Sequence, residues 1–212
     1  MSQHSRNANF CGVLSAARIV PVLTIEDAAR AVPLADAIAA GGLSVIEITL
    51  RNHAALDAIQ AVALGCPGVT VGAGTVRSPE QAEAAIEAGA RFLVSPGVTP
   101  RLVSAAEHWP VPFLPGVATA SEAMALADLG YRALKFFPAE SAGGAKALGA
   151  LAAPLSELVF CPTGGVTPVN VSDYFAQPNV IAVGGSWLAP RAAVERHDWE
   201  SVSEIVRTAT AL

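Results

Sequence analysis

The sequence predicts an α/β protein folded as a compact, single-domain (β/α)8 TIM barrel, and three observations support this fold class. Short runs rich in β-branched residues recur about every 20 to 26 residues along the chain. Alanine-rich amphipathic segments separate most of these runs, and alternating strands and helices favour a parallel sheet with right-handed crossovers. There are eight such runs, although 212 residues is fewer than the roughly 250 typical of this barrel.

The predicted strands follow one another along the whole chain, without a linker or low-complexity segment between them. They lie at residues 19–24, 44–50, 69–74, 92–96, 112–117, 133–138, 158–163 and 180–185. An N-terminal helix at about 3–17 and a last helix at about 198–211 are expected to lie outside the barrel, within a single domain spanning 1–212. A doubly wound open sheet is the alternative, but its usual GxGxxG fingerprint after the first strand is missing.

The ends of the predicted helices carry repeated local signals. A hydroxyl residue followed by proline is typical of a helix start, and it occurs at Ser78-Pro79, Thr99-Pro100 and Thr167-Pro168. Glycines suited to a left-handed helix end precede three of the predicted strands, at Gly42, Gly89 and Gly130. Both sets of signals support a repeating βα unit.

Composition excludes several classes of function. A formal net charge of -5, with only 15% charged residues, offers no basic surface for nucleic acid. The apolar runs are too short for a membrane span or a signal peptide, so we expect a cytoplasmic protein without a membrane partner. The three cysteines are far apart and the four histidines are isolated, so the sequence supports neither a disulfide framework nor a metal site.

The predicted second strand carries polar side chains into an apolar setting. Alternation along a strand puts two sets on opposite faces: Ile46, Ile48 and Leu50 on one, and Glu47, Thr49 and Arg51 on the other. Because the apolar face must meet the helices, the polar face points into the barrel, where burial is costly unless the groups pair or bind a polar ligand. A purely structural ion pair between Glu47 and Arg51 remains an alternative.

The predicted sixth strand contains Lys135 within an apolar run. Of the thirteen basic residues only Lys135 and Lys146 are lysines, so a chain that otherwise uses arginine keeps a lysine inside a strand. Burial disfavours the charged ammonium, which would supply the free amine that adds to a carbonyl group. This pattern predicts an imine-forming nucleophile, and the alternative is a structural pair between Lys135 and Glu47.

Two glycine-rich strand ends are expected to be neighbours in a closed barrel. They read Thr163-Gly164-Gly165 after the predicted seventh strand and Gly184-Gly185-Ser186 after the eighth. Loops at these positions commonly bind phosphate in this fold, because glycine lets backbone N–H groups approach the anion closely. Paired glycines also occur in ordinary turns. The segment Gly143 to Lys146 is predicted to be a turn leading into a helix, because its spacing does not match the phosphate-binding P-loop.

Taken together, these motifs resemble the 2-keto-3-deoxy-6-phosphogluconate (KDPG) aldolases, which often also act on 4-hydroxy-2-oxoglutarate (KHG). The likeness covers about residues 18–190, and its most specific segments are Ile46–Arg51, Val71–Thr75, Val94–Gly97, Lys135–Glu140, Phe160–Gly165 and Gly184–Trp187. The resemblance implies a class I aldolase, a lyase that forms a Schiff base with its substrate. It also implies a homotrimer that needs no metal or organic cofactor.

Carried over residue by residue, the resemblance implies a complete set of site residues. Lys135 would form the Schiff base and Glu47 would act as general acid and base. Arg51 and Thr75 would bind the pyruvate carboxylate. The remaining positions would wall the pocket (Pro96 and Phe137) or meet the far phosphate and its neighbouring hydroxyls (Thr163, Gly164, Gly165, Gly185 and Ser186).

The expected substrate is a small phosphorylated 2-keto acid, and two other functions remain as alternatives. A phosphosugar isomerase or epimerase would use Glu47 to abstract a proton and Lys135 to stabilise charge, without forming a pyruvate adduct. A non-catalytic barrel that binds a phosphorylated metabolite would show no turnover of any keto acid.

Overall fold

A computed structural model describes residues 2–212, and its centre is a parallel β-sheet that curls around a core of small and apolar side chains. The strands are β1 Ile19–Leu23, β2 Val45–Thr49, β3 Thr70–Gly74, β4 Leu93–Val94, β5 Phe113–Leu114, β6 Gly116–Val117, β7 Ala133–Phe136, β8 Val159–Pro162 and β9 Val183–Gly185. The helices are α1 Gln3–Ala17, α2 Ala31–Ala40, α3 Ala55–Gly65, α4 Pro79–Glu87, α5 Pro100–Ala106, α6 Ala120–Asp128, α7 Gly144–Ala152, α8 Val171–Phe175, α9 Arg191–Glu195 and α10 Trp199–Thr210, with a 3-10 turn at Ala28–Arg30.

The strands form two hydrogen-bonded sheets, in the orders β5-β4-β3-β2-β1-β9 and β6-β7-β8. Every pair is parallel. The first strand lies between β2 and the last strand, which is not the order of a doubly wound sheet. The predicted α/β class with a parallel sheet is therefore confirmed, and the sheet is curled.

The predicted strand at 112–117 is divided into β5 and β6 by Pro115. Proline has no N–H group and cannot donate to a neighbouring strand, but its carbonyl oxygen accepts a hydrogen bond of 2.9 Å from the Lys135 amide. On the opposite side, two isolated parallel bridges, Phe160–Val180 and Thr163–Gly184, connect β8 and the residue after it to the segment that contains β9. The predicted strands at 92–96 and 180–185 are shorter than expected, at two and three residues.

Most of the predicted helix ends are confirmed. The side chains of Ser78 and Thr99 cap α4 and α5, each with proline in the first turn, and the three glycines have positive φ angles (Gly42 105°, Gly89 102°, Gly130 88°). The start predicted at Thr167 is wrong, because α8 begins at Val171. The Asn170 side chain accepts a 2.8 Å hydrogen bond from the Thr167 amide and holds that segment as a turn. Within residues 2–212, no helix has the length and apolar character needed to cross a membrane.

Helix α1 lies across the amino-terminal end of the sheet and closes its interior. Phe10 and Leu14 are buried in the same cluster as the inward side chains of the strands, and the rings of Phe10 and Phe92 are 4.8 Å apart. The buried Asn7 amide donates to the carbonyls of Phe113 and Ala133, and its oxygen accepts two backbone N–H groups. The helix lies outside the strands, as predicted, and also supplies the base of the core.

Candidate active site

Lys135 and Glu47 form a buried ion pair inside the curled sheet. Lys135 lies on β7 and Glu47 on β2, and the lysine Nζ is 3.2 Å from Glu47 Oε1. Their side chains are only 6% and 5% exposed, whereas every other ion pair found within residues 2–212 has at least one side chain that is 32% exposed or more. Removing one partner of such a buried pair typically costs about 3–5 kcal/mol, because the remaining charge is left uncompensated.

The position of the Glu47 carboxylate depends on a glycine of the neighbouring strand. Gly74 ends β3, and a Cβ atom placed there would lie 1.9 Å from Glu47 Oε1 and 2.5 Å from its Cδ. Only glycine therefore leaves room for the carboxylate beside β3. The sequence identified Gly74 as part of a strand end but gave no signal of this contact, which joins two strands.

Cys161 lies on β8 directly beside Lys135 in the strand register. Burial raises the pKa of its thiol to about 12; the Lys135 ammonium opposes this shift and the Glu47 carboxylate adds to it. A thiol with such a high pKa remains neutral and unreactive. It therefore contributes a small uncharged side chain to the wall beside the ion pair.

Arg51 and Thr75 meet at the carboxyl ends of β2 and β3. Arg51 Nε donates a 3.2 Å hydrogen bond to Thr75 Oγ1, and the arginine side chain is exposed. The backbone of Thr75 is left-handed, with φ 60°, which is a strained conformation for a β-branched residue. The alternative ion pair between Arg51 and Glu47 is not formed. Because only Nε is engaged by Thr75, the two terminal guanidinium nitrogens remain available for a carboxylate.

Pro96 follows β4, and Phe137 follows β7, the strand that carries Lys135. The Lys135 Nζ lies 5.4 Å from the centre of the Phe137 ring, and the Phe137-Pro138 peptide bond is cis. A Cβ atom at Gly116, beside Lys135 in the register, would lie 2.5 Å from the carbonyl carbon of Pro96. Both predicted wall residues are half-buried.

The two glycine-rich strand ends lie side by side, as predicted. Thr163 is buried, and its Oγ1 would be 2.3 Å from a Cβ atom at Gly184. Gly164 and Gly165 both have positive φ angles, of 97° and 81°. Within residues 2–212, no backbone or side-chain acceptor meets the amide groups of these two glycines.

Gly185 and Ser186 complete this edge at the end of β9. Gly185 is buried, and a Cβ atom there would enter the Trp187 ring at 1.8 Å. Ser186 is exposed beside it. Apart from Glu47, which lies at the centre of β2, the predicted site residues lie at or near the carboxyl ends of strands, the edge where parallel barrels bind their substrates.

Thr49 is a polar residue of β2. The alternation pattern predicted that its side chain points inward, but gave no indication of what it binds. Its Oγ1 donates to the Leu23 carbonyl at 3.0 Å and lies 2.9 Å from Thr24 Oγ1. Thr49 therefore ties the ends of β1 and β2 together, which satisfies its buried hydroxyl without a ligand.

A curled parallel sheet with a buried lysine beside a carboxylate is typical of one class, the barrel-type enzymes that act on carbonyl compounds through a lysine. Residues 11–205 match the family model described as KDPG and KHG aldolase. The chain belongs to this aldolase family.

Two curated relatives and one solved structure illustrate the similarity. The chain is 46% identical to the KHG/KDPG aldolase of Escherichia coli K12 over 197 residues, covering 93% of this chain and 92% of that protein. It is 50% identical to the 2-dehydro-3-deoxy-phosphogluconate aldolase of Pseudomonas aeruginosa over 193 residues, covering 91% and 88%. The KDPG aldolase of Legionella pneumophila, solved with pyruvate captured as a covalent carbinolamine, matches with a TM-score of 0.91 at 40% identity over 93% and 96% of the two chains.

Proposed function

We propose that this protein is a class I aldolase that cleaves KDPG to pyruvate and glyceraldehyde 3-phosphate through a Schiff base at Lys135. The observation that carries the proposal is the buried contact of 3.2 Å between Lys135 Nζ and Glu47 Oε1. The names of the relatives, and the pyruvate carbinolamine of the Legionella enzyme, support the same chemistry.

Imine formation begins with a proton transfer within the ion pair. The Lys135 ammonium passes a proton to the Glu47 carboxylate across their hydrogen bond, and the resulting neutral amine attacks the C2 ketone of the substrate. The carbinolamine hydroxyl then takes a proton from the Glu47 carboxyl group and leaves as water. This step produces an iminium on Lys135 and restores the Glu47 carboxylate.

Cleavage uses the same two side chains in different roles. Glu47, directly or through a water molecule, removes the proton of the C4 hydroxyl, and the C3–C4 bond breaks as the C4 carbonyl forms. The electron pair of that bond moves into the iminium and gives an enamine, so glyceraldehyde 3-phosphate can leave. Protonation of the enamine at C3, followed by hydrolysis, releases pyruvate and returns the free lysine.

The ends of the substrate are assigned to the two polar groups on either side of the lysine. Arg51 and Thr75 would bind the carboxylate, since their hydrogen bond leaves the terminal guanidinium nitrogens available. Pro96 and Phe137 would wall the carbon chain. The distal phosphate and its neighbouring hydroxyls would meet the two glycine-rich strand ends, namely Thr163, Gly164, Gly165, Gly185 and Ser186.

Borohydride reduction in the presence of pyruvate tests the proposal directly. The protein should gain the mass of pyruvate less one oxygen atom, and peptide mapping should place the adduct on Lys135. Lys135→Arg should abolish the adduct because arginine cannot form an imine. Lys146→Arg, a change at the exposed second lysine, is the matched control and should leave labelling intact. Labelling at Lys146, or no labelling, would show that the proposal is wrong.

The same site would also cleave KHG to pyruvate and glyoxylate. The reacting pyruvate unit is identical in the two substrates, and the curated relative of Escherichia coli is named for both of them. Comparing kcat/KM for the two substrates measures how strongly the distal phosphate contributes.

The complete architecture and assembly are also part of the proposal. We include a closed eight-stranded barrel, formed as one domain by residues 1–212. The Thr163–Gly184 bridge supports closure between β8 and β9, and the hydrogen bond from the Lys135 amide to the Pro115 carbonyl supports continuity between β5 and β6. The homotrimer is supported by the family resemblance. Light scattering after size-exclusion chromatography should give three times the mass of the 212-residue chain.

A further inference from the structure

The loop after β8 is held on one side by three successive carbonyl groups. The hydrogen bonds run from Ala139 N to Thr163 O (2.9 Å), from Glu140 N to Gly164 O (3.0 Å) and from Asn170 Nδ2 to Gly165 O (3.0 Å). Because a trans peptide is planar, the N–H group of each following residue points away from the bound carbonyl. Fixing the three carbonyls therefore fixes the amides of Gly164, Gly165 and Val166 in the opposite direction.

Two successive glycines make this loop costly to order, since glycine loses more conformational freedom on ordering than any other residue. Amides that must bind an anion are effective only when the surrounding structure holds them in place beforehand. Backbone hydrogen bonds hold the carbonyls of Thr163 and Gly164, whereas the carbonyl of Gly165 is held by the side chain of Asn170. A second group in contact with Gly165 would hold it more firmly.

Glu140 packs directly against Gly165. A Cβ atom at position 165 would lie 2.5 Å from Glu140 Cγ and 2.6 Å from its Cβ. The Glu140 carboxylate accepts a hydrogen bond from the hydroxyl of Tyr174, a fully buried side chain on α8. Burial, followed by the bond to Glu140, raises the pKa of Tyr174, so the hydroxyl keeps its proton and remains a donor.

We propose that Glu140, Asn170 and Tyr174 form a clamp that holds the Gly164–Gly165 loop in the conformation that binds the distal phosphate, and that Glu140 and Tyr174 are positioning residues for phosphorylated substrates. This inference rests on the proposed function, because it assigns these residues to the phosphate end of the same site. The clamp lies on the side of the loop where the carbonyls are bound, so it acts through Gly165 and does not touch the reacting carbons.

Tyr174→Phe tests the clamp by removing only the hydroxyl. Loss of its hydrogen bond to Glu140 should raise KM for KDPG by about 3- to 10-fold, the range expected for one hydrogen bond. The kcat for KDPG should stay within roughly twofold of wild type, as should KM and kcat for KHG, which has no phosphate. Glu140→Ala should show the same pattern with a larger rise in KM.

Tyr131→Phe is the matched control. Tyr131 is also fully buried, but its hydroxyl has no hydrogen-bond partner within residues 2–212, so its removal should leave the KM ratio of the two substrates unchanged. Equal losses on both substrates, or a Tyr174→Phe variant that no longer forms the borohydride-trapped pyruvate adduct, would show that Tyr174 and Glu140 support the fold instead of the phosphate site. A wild-type protein that traps no pyruvate would overturn the proposed aldolase function itself, which is a separate outcome.

Discussion

Replacing Gly74 with alanine should separate Glu47 from Lys135 without altering either side chain. The new Cβ atom would lie 1.9 Å from Glu47 Oε1, whereas ordinary van der Waals contact begins at 3.4 Å. Relief of the overlap requires a shift of 3.4 − 1.9, or about 1.5 Å, in the carboxylate or the strand. A movement of that size is large compared with the 3.2 Å hydrogen bond between Glu47 and Lys135 and would disrupt its geometry.

The expected loss of rate follows from the geometry. A misplacement of about 1 Å in a catalytic group can lower the rate about 10²-fold, and complete loss of general base catalysis costs about 10²- to 10⁴-fold. We therefore expect Gly74→Ala to lower kcat for KDPG by about 10²-fold or more. Overpacking of a buried position typically costs about 1–3 kcal/mol, so the melting temperature should fall by about 2 to 12 °C and the protein should remain folded.

The assay couples pyruvate release to lactate dehydrogenase and is run beside borohydride trapping and calorimetry. Gly97→Ala is the matched control, because a Cβ atom at Gly97 meets nothing within 4 Å although the residue directly follows Pro96 at the site. This control should keep wild-type kcat and melting temperature. If Gly74→Ala also keeps kcat within twofold, the position of the carboxylate does not limit the reaction and the reasoning is refuted.

Four further changes should have distinct effects. Glu47→Gln should lower kcat by about 10²- to 10⁴-fold while the pyruvate adduct still forms, and an unchanged kcat would remove Glu47 from the mechanism. Thr75→Gly should relieve the strain of φ 60° yet raise KM about 10-fold as Arg51 loses its partner, with no fall in melting temperature beyond roughly 2 °C in calorimetry. Asn7→Ala should lower the free energy of unfolding by at least about 3 kcal/mol in urea titrations, because it leaves buried backbone groups at the ends of four hydrogen bonds unpaired. Burial raises the pKa of the Cys161 thiol from an ordinary value of 9.0 to about 12. Between these two pH values the thiol is deprotonated in the unfolded chain but still protonated in the folded protein. Stability should therefore fall as pH rises from 9 towards 12, and Cys161→Ala should lessen that fall.

Local signals account for most of the fold that could be predicted. The capping residues Ser78 and Thr99 act within one turn of their helices, so the sequence alone identifies them. Thr167 has the same pattern, but Asn170 binds its amide and delays the helix, a competition that the Thr-Pro pair does not reveal. The interruption of a strand at Pro115 also follows from chemistry visible in the sequence, namely the missing N–H group.

The sequence by itself determined the repeating βα pattern, the family and the unusual character of Lys135 and Glu47, because each depends on residues close together in the chain. Only the tertiary structure decided the geometry of the site. Lys135 and Glu47 are 88 residues apart, and their contact depends on the curvature of the sheet and the space left at Gly74. The hydrogen bond from Tyr174 to Glu140 beside the Gly164–Gly165 loop also depends on the packing of segments that are distant in the chain. Such contacts arise where distant strands and helices pack together, and the pattern of any one segment does not contain that information.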